Sequence, residues 1–258
     1  MTIDRVSLVF IGLWLLSMIL VPIFRWTWGD TTLPLIVNIS VVLHASATIA
    51  ALLPLWGWRR CLALVALILP LTWGIERIGS STGFPFGVYH YTDLLQPQLL
   101  HVPVVIPLAW LMMLPPSWVI AHSIIGNQQP LRFAALSATA FTAWDLFLDP
   151  QMVNWHFWVW ETPNSVLGSY FGIPWTNYLG WWGCSFLLTW LVVMLIKPPF
   201  TMHSSNKPSS QLFFIYTITC LFEIGGLMFF WQLPGPAICG GIVMGGLCLW
   251  AWRRQFSA

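Results

Sequence analysis

Charge is what this chain has least of. Only 7% of its 258 residues are Asp, Glu, Lys or Arg, where a soluble globular domain carries about a quarter. With 58% hydrophobic residues and 19 Trp, that scarcity excludes a soluble domain, and the length is better counted in bilayer spans of ~20 residues. A net charge of +2 gives no basis for a nucleic-acid partner. The five cysteines (Cys61, Cys184, Cys220, Cys239 and Cys248) all fall inside apolar runs, so they read as small buried hydrophobes rather than a disulfide framework or a metal site. The six histidines are scattered, with no HxxxH or HxxHH cluster, which argues against a di-iron hydroxylase, desaturase or ketolase. No glycine-rich dinucleotide loop follows a strand and no P-loop is present. The lysines, Lys197 and Lys207, flank one loop, so a Schiff-base lysine inside a late helix is missing. The expectation is chemistry without metal or cofactor.

What the chain has in quantity is apolar sequence in runs. After Arg5, residues 6–24 carry no charge. That run is long for a signal-peptide core and no small-x-small cleavage site follows it, so it reads as a first spanning helix that stays. Further runs cover 33–55, 61–79, 101–125, 132–148, 176–196, 211–231 and 236–252. The expected fold is an all-α integral membrane protein of about eight transmembrane helices, one polytopic membrane domain over residues 1–258. Placing both termini in the cytoplasm puts Arg5, Arg59, Arg60, Arg132, Lys197, Lys207, Arg253 and Arg254 on the cytoplasmic side, as the positive-inside rule expects.

Two long connections, 80–100 and 150–175, then lie together on the opposite side. Both are rich in aromatic residues, Gly and Pro and poor in charge. Irregular backbone cannot face lipid, so they are expected to fold back over the helices or to anchor at the interface. They also share a plan. An acid near a helix end (Glu76, Asp149) is followed by an aromatic loop (GVYHY, WHFWVW) and a proline-marked helix start at Pro103 or Pro174. Both copies run in one direction, a parallel repeat.

Of the eight carboxylates, Asp4 and Asp30 sit beside span ends as ordinary interface charges. Glu76, Asp93, Asp145, Asp149, Glu161 and Glu223 gather toward one side. Asp145 and Asp149, four apart, share a helical face. A carboxylate at the bilayer centre costs ~2.5–3.5 kcal/mol, so the set needs a reason. The plain one is pairing, with Arg77 beside Glu76 or Asp93, and the aspartates capping loop N–H groups near Pro150. The chemical one is a site with acids and aromatic walls. Desolvation keeps a carboxyl protonated, and Tyr and Trp faces stabilise a nearby cation by ~0.5–2 kcal/mol each. Together these suit protonation of an alkene and management of the carbocation. The Asp145-x-x-x-Asp149 spacing also matches one motif of membrane prenyltransferases, but the companion aspartate motif and the basic residues for a diphosphate are missing.

The run ERIGSSTGFPFGVYHYTDLLQPQLLHVPVVIPLAW (76–110), with WDLFLDPQMV (144–153), HFWVWE (156–161) and GIPWTNYLGWW (172–182), resembles the integral-membrane carotenoid hydratases, a family that includes γ-carotene and bisanhydrobacterioruberin hydratases. The likeness covers about residues 70–190, with weaker support at Glu223. It implies addition of water, without cofactor, to the terminal isopropylidene double bond of an acyclic carotenoid (lycopene, γ-carotene or C50 type). It also implies a bacterial or archaeal-type cell membrane or a thylakoid, with lipid and other carotenoid-pathway enzymes as partners. The roles inferred here give Asp149 or Glu76 as the acid, and Tyr89, Tyr91, Trp155, Trp158 and Trp160 as the cation-stabilising wall. Asp145 or Glu161 holds the water, and Asn177 either orients it or caps its helix. Arg77 reads as a partner that fixes a carboxylate, and the 76–91 stretch as half of a lid. Two other readings stand beside this one. A carotenoid cyclase begins with the same protonation. A carotenoid- or lipid-binding protein or transporter would use the acids as structural pairs and show broken helices, for which Pro103, Pro107, Pro115 and Pro116 are the candidates.

Overall fold

The structure is a computed structural model that describes residues 3–126, 129–161, 167–198 and 207–256, with backbone only for 3, 4, 207, 208, 255 and 256. His203, one of the six histidines, and the side chains of Asp4 and Lys207 lie outside the described residues. The helices are α1 (Ile3–Trp28), α2 (Leu33–Thr82), α3 (Val105–Ile125), α4 (Pro130–Asn154), α5 (Trp175–Leu195), α6 (Lys207–Gly225) and α7 (Pro234–Phe256). A π-helical turn, Gly226–Phe230, extends α6. Six of the helices are long and apolar enough to cross a membrane. The chain is an all-α membrane protein.

The 50-residue α2 is a hairpin of two helices. Gly57 breaks it with φ 75° and ψ 159°, a conformation that glycine adopts without Cβ strain. The two halves then fold back. Asn38 donates to the Gln96 carbonyl (2.8 Å) and Trp73 to the Leu99 carbonyl (3.2 Å). On a straight helix residues 38 and 73 would stand roughly 50 Å apart, whereas a three-residue separation cannot span more than roughly 10 Å.

The helix α4 falls short of the apolarity of a spanning helix, carrying Asp145 and Asp149 in an Ala-rich sequence. It compensates by packing against α3, α5 and α7, and its small residues (Ala134, Ser137, Ala138, Ala140) let those neighbours approach closely. It also runs on past Pro150 to Asn154, where the sequence suggested a helix end at 148 and a loop from Pro150. Proline lacks an N–H, which frees the carbonyl four residues earlier. Here that carbonyl, Leu146, accepts from the Tyr170 hydroxyl at 3.2 Å. The same device operates in α3. Pro116 frees the Met112 carbonyl, which accepts from Thr48 Oγ1 at 2.8 Å. In a membrane such neighbours make interior prolines tolerable, so α3 continues unbroken through Pro115 and Pro116.

The two long connections meet at one end of the bundle. Strand β1 (Tyr89–Tyr91) pairs antiparallel with β4 (Trp158–Trp160), Tyr89 opposite Trp160 and Tyr91 opposite Trp158. Each connection next forms a small hairpin, β2–β3 (Gln98–Leu99, Val102–Pro103) or β5–β6 (Ser169–Tyr170, Ile173–Pro174), and then a helix. Strand, hairpin and helix thus repeat in both copies. Pro103 and Pro174 close the hairpins, and the helices open just after them.

Candidate active site

Three buried carboxyls converge beneath the β1–β4 sheet. Glu76 lies near the C-terminal end of α2, and Asp145 and Asp149 face the same way from α4; all three are at most 2% exposed. Because side chains alternate along a strand, Tyr89 and Tyr91 project to one side of β1. Both hydroxyls donate to Glu76 Oε2, at 2.6 and 2.7 Å, while Trp110 Nε1 of α3 donates to Oε1 at 2.9 Å. Trp158 and Trp160 alternate likewise in β4. Trp158 Nε1 donates to Asp149 Oδ1 at 3.0 Å, and the Trp160 ring lies 4.9 Å from that of Tyr89. Removal from water, and secondarily the Glu76 carboxyl, push the phenols of Tyr89 and Tyr91 well above their ordinary range, so both remain hydrogen-bond donors.

Asn177, in the first turn of α5, is 1% exposed. Its Nδ2 donates to Asp145 Oδ2 at 3.0 Å and also to Asp149 Oδ2. The N-cap of α5 is Pro174 instead. Asn177 therefore clamps the two carboxyls that the four-residue spacing placed on one face. Asp145 Oδ1 is buried with no partner among the described residues.

A cavity of about 30 Å³ lies between these groups, lined by Glu76, Asp149, Asn177, Tyr89, Trp158 and Trp160 among others. That is room for one or two water molecules. Phe86 plugs the chamber from the loop, 1% exposed. It seats only because Gly79 and Gly180 lack side chains: a Cβ at Gly79 would stand 2.6 Å from the ring and one at Gly180 2.8 Å from it. The lid is tied down by Thr176 Oγ1 to the Phe86 carbonyl (3.1 Å) and Glu161 N–H to the Val88 carbonyl (2.9 Å).

Three expectations change. The Glu161 side chain lies on the outer surface, 55% exposed, where it stands 3.4 Å from His90, and does not reach the chamber. Trp155 packs edge-on against Trp231 with ring centres 4.8 Å apart and lines a different cavity. Glu76 is held by the two tyrosines and Trp110 rather than by Arg77. Trp110, Phe86 and Trp181 were not singled out as site residues, since an aromatic in an apolar run of this chain carries no local signal of its partner. Glu223, buried on α6, belongs to the second cavity. With the Gln151 amide oriented to satisfy both neighbours, its nitrogen donates to Glu223 Oε2 (3.2 Å) and its oxygen accepts from Trp231 Nε1 (2.9 Å).

The fold and the site define a helical membrane protein with buried carboxyls under an aromatic lid. The sequence pattern of the family described as carotenoid biosynthesis protein matches residues 35–247, and the chain belongs to that family. It is also 36% identical, over 136 residues, to the bisanhydrobacterioruberin hydratase of Haloarcula japonica. That match covers 52% of this chain and 44% of the relative, so the chain spans less than half the length of the curated relative it matches. No solved structure matches it.

Proposed function

We propose that this protein is a carotenoid hydratase, adding water to the terminal isopropylidene double bond of an acyclic carotenoid end to form a tertiary alcohol. One observation carries the reading: a water-sized cavity walled by Glu76, Asp149 and Asn177 on one side and by the rings of Tyr89, Trp158 and Trp160 on the other. The family and the name of the Haloarcula relative support the substrate class. Asp149 faces the cavity and is the group placed to give its proton to the less substituted alkene carbon. The positive charge that appears on the tertiary carbon lies against the ring faces, whose π electrons favour it by ~0.5–2 kcal/mol each. Water in the cavity adds to that carbon and its proton returns to Asp149, left as a carboxylate by the first step, so that alkene and water are consumed and only the alcohol is made. Asn177 holds Asp149 in place for both transfers and ties it to Asp145. Proton transfer of this kind accounts for ~10²–10⁴-fold of the rate. Glu76 accepts from Tyr89, Tyr91 and Trp110, which ties the lid to the bundle and supplies negative charge beside the cation.

The same reading gives an eight-span topology, the two α2 halves and α4 included, with both termini cytoplasmic and the lid on the opposite side, in a carotenoid-bearing membrane beside the other enzymes of the pathway. Expression in a host that accumulates lycopene, with pigments weighed by mass spectrometry, tests it. The expected product has gained one water, and carries heavy oxygen when made in labelled water. An unlabelled isomer of unchanged mass would identify a cyclase instead. Unaltered pigment bound to the protein would point to a carrier.

A further inference from the structure

As it stands the acid chamber has room for water alone, so an alkene end group enters it only as lining side chains such as Leu148 shift. A second cavity on the other side of α4 is large enough without that. It measures about 380 Å³, within the ~300–1,000 Å³ of ordinary ligand pockets. Its walls come from α1, both sides of the α4–α6 contact, the first half of α2 and the π-helical turn, and they are apolar apart from a few groups such as His44, Gln151 and Glu223. Irregular turns of that kind recur at functional sites. The rim residues Ile19 and Ile23 of α1, Leu221 of α6 and Phe230 are exposed. In a membrane-embedded bundle this rim faces lipid, so the cleft opens sideways to the bilayer.

One side chain lines both cavities between the reactive helix faces, Leu148. At about 100° per residue, Asp145 and Asp149 share one face of α4 and Trp144 and Gln151 another. Leu148 stands between them, about 60° from Asp145. It is half-buried, and a leucine can change rotamer without breaking any hydrogen bond.

We propose that the cleft between α1 and α6 takes the isoprenoid end of an acyclic polyene from the bilayer, and that Leu148 is the specificity residue it must pass to reach Asp149. This rests on the hydratase reading for the chemistry but not for the binding. An acyclic end is slimmer than a cyclised one, so passage past a leucine that lines both chambers favours acyclic ends over cyclised ones. The cleft holds the chain while the terminal double bond alone enters the acid chamber.

The test uses the full-length protein purified in mild detergent from a lycopene-accumulating host. It reads two quantities: lycopene retained per protein, by absorbance, and hydrated product, by mass. Val41 of α2 lines the cleft but not the acid chamber, so Val41→Phe narrows the cleft, with Val41→Leu as a milder variant in case the first does not fold. Leu148→Trp, and the milder Leu148→Phe, narrow the passage. The expected result is that the Val41 variants lose both retained lycopene and product. The Leu148 variants keep the lycopene and lose product by about tenfold or more, the scale on which a pocket rejects a misfitting group. Full product from monodisperse Leu148→Trp, or undiminished lycopene in Val41→Phe, would overturn the proposal. Lycopene retained by the wild type and lost in the Val41 variants, with no water gained by any protein, would leave the cleft assignment standing and refute the hydratase reading.

Discussion

Asn177 offers the sharpest test of the carboxyl pair, because leucine and aspartate both match its branched shape and change only its chemistry. Its amide nitrogen serves Asp145 and Asp149 together, with all three side chains at most 2% exposed. Asn177→Leu removes both hydrogen bonds and leaves the carboxyls with fewer donors. At ~1–2 kcal/mol for each buried bond the loss is ~2–4 kcal/mol. If the clamp must be in place for the proton to move, that converts to a roughly 30- to 700-fold drop in hydrated product at 1.4 kcal/mol per factor of ten. Asn177→Asp should fall at least as far, since it replaces the donor with a third carboxyl. The double variant Asn177→Asp with Asp145→Asn moves the amide across the same contact and should recover part of the activity lost by Asn177→Asp alone. Product would be followed by chromatography against protein quantity, with thermal melting to show that each variant is folded. The reasoning is falsified if folded Asn177→Leu hydrates within about threefold of the wild type.

Asp149→Asn is expected to abolish product while leaving the fold intact, and normal turnover in that variant would remove Asp149 as the acid. Trp158→Phe keeps an aromatic ring but deletes the N–H held by Asp149 Oδ1 together with part of the indole, so a loss of at least ~1–3 kcal/mol, measured as turnover, is expected. Gly180→Val would drive a side chain into Phe86 and the Pro85 carbonyl, 2.8 and 3.0 Å from its Cβ. Overpacking of this kind costs ~1–3 kcal/mol, to be seen as a lowered melting temperature together with reduced product. Glu161→Gln, on the outer face of the lid, should leave product formation near normal; a large loss there would place the water-holding carboxylate in the lid after all.

Much of the site was legible because its signals are local. The four-residue interval between Asp145 and Asp149 dictates a shared face on any α-helix, and the alternation of Tyr89 and Tyr91 dictates a shared side on any strand. A near-absence of charge made each remaining acid conspicuous. What was misread depended on partners remote in sequence. Pro150 looked like the end of a helix because nothing nearby shows that Tyr170 takes the carbonyl it frees. Glu161 follows directly on the Trp158–Trp160 strand, yet the turn at its end directs it outward beside His90. Arg77 was the nearest cation to Glu76 in sequence, whereas the donors Tyr89, Tyr91 and Trp110 lie 13, 15 and 34 residues away.

By itself the sequence determined the solvent and the repertoire: a helical chain that must bury its backbone bonds in lipid, a handful of acids toward one side, and aromatic loops between them. Those follow from composition and from helix and strand periods, which need no knowledge of neighbours. Only the tertiary structure decided which acids share a chamber, that the two aromatic loops close it by pairing as β1 and β4, and that Asn177 holds the aspartates rather than capping a helix. The reason is that a hydrogen bond between residues 28 or 32 apart has no periodicity to announce it. It exists only where packing has already brought the helices together.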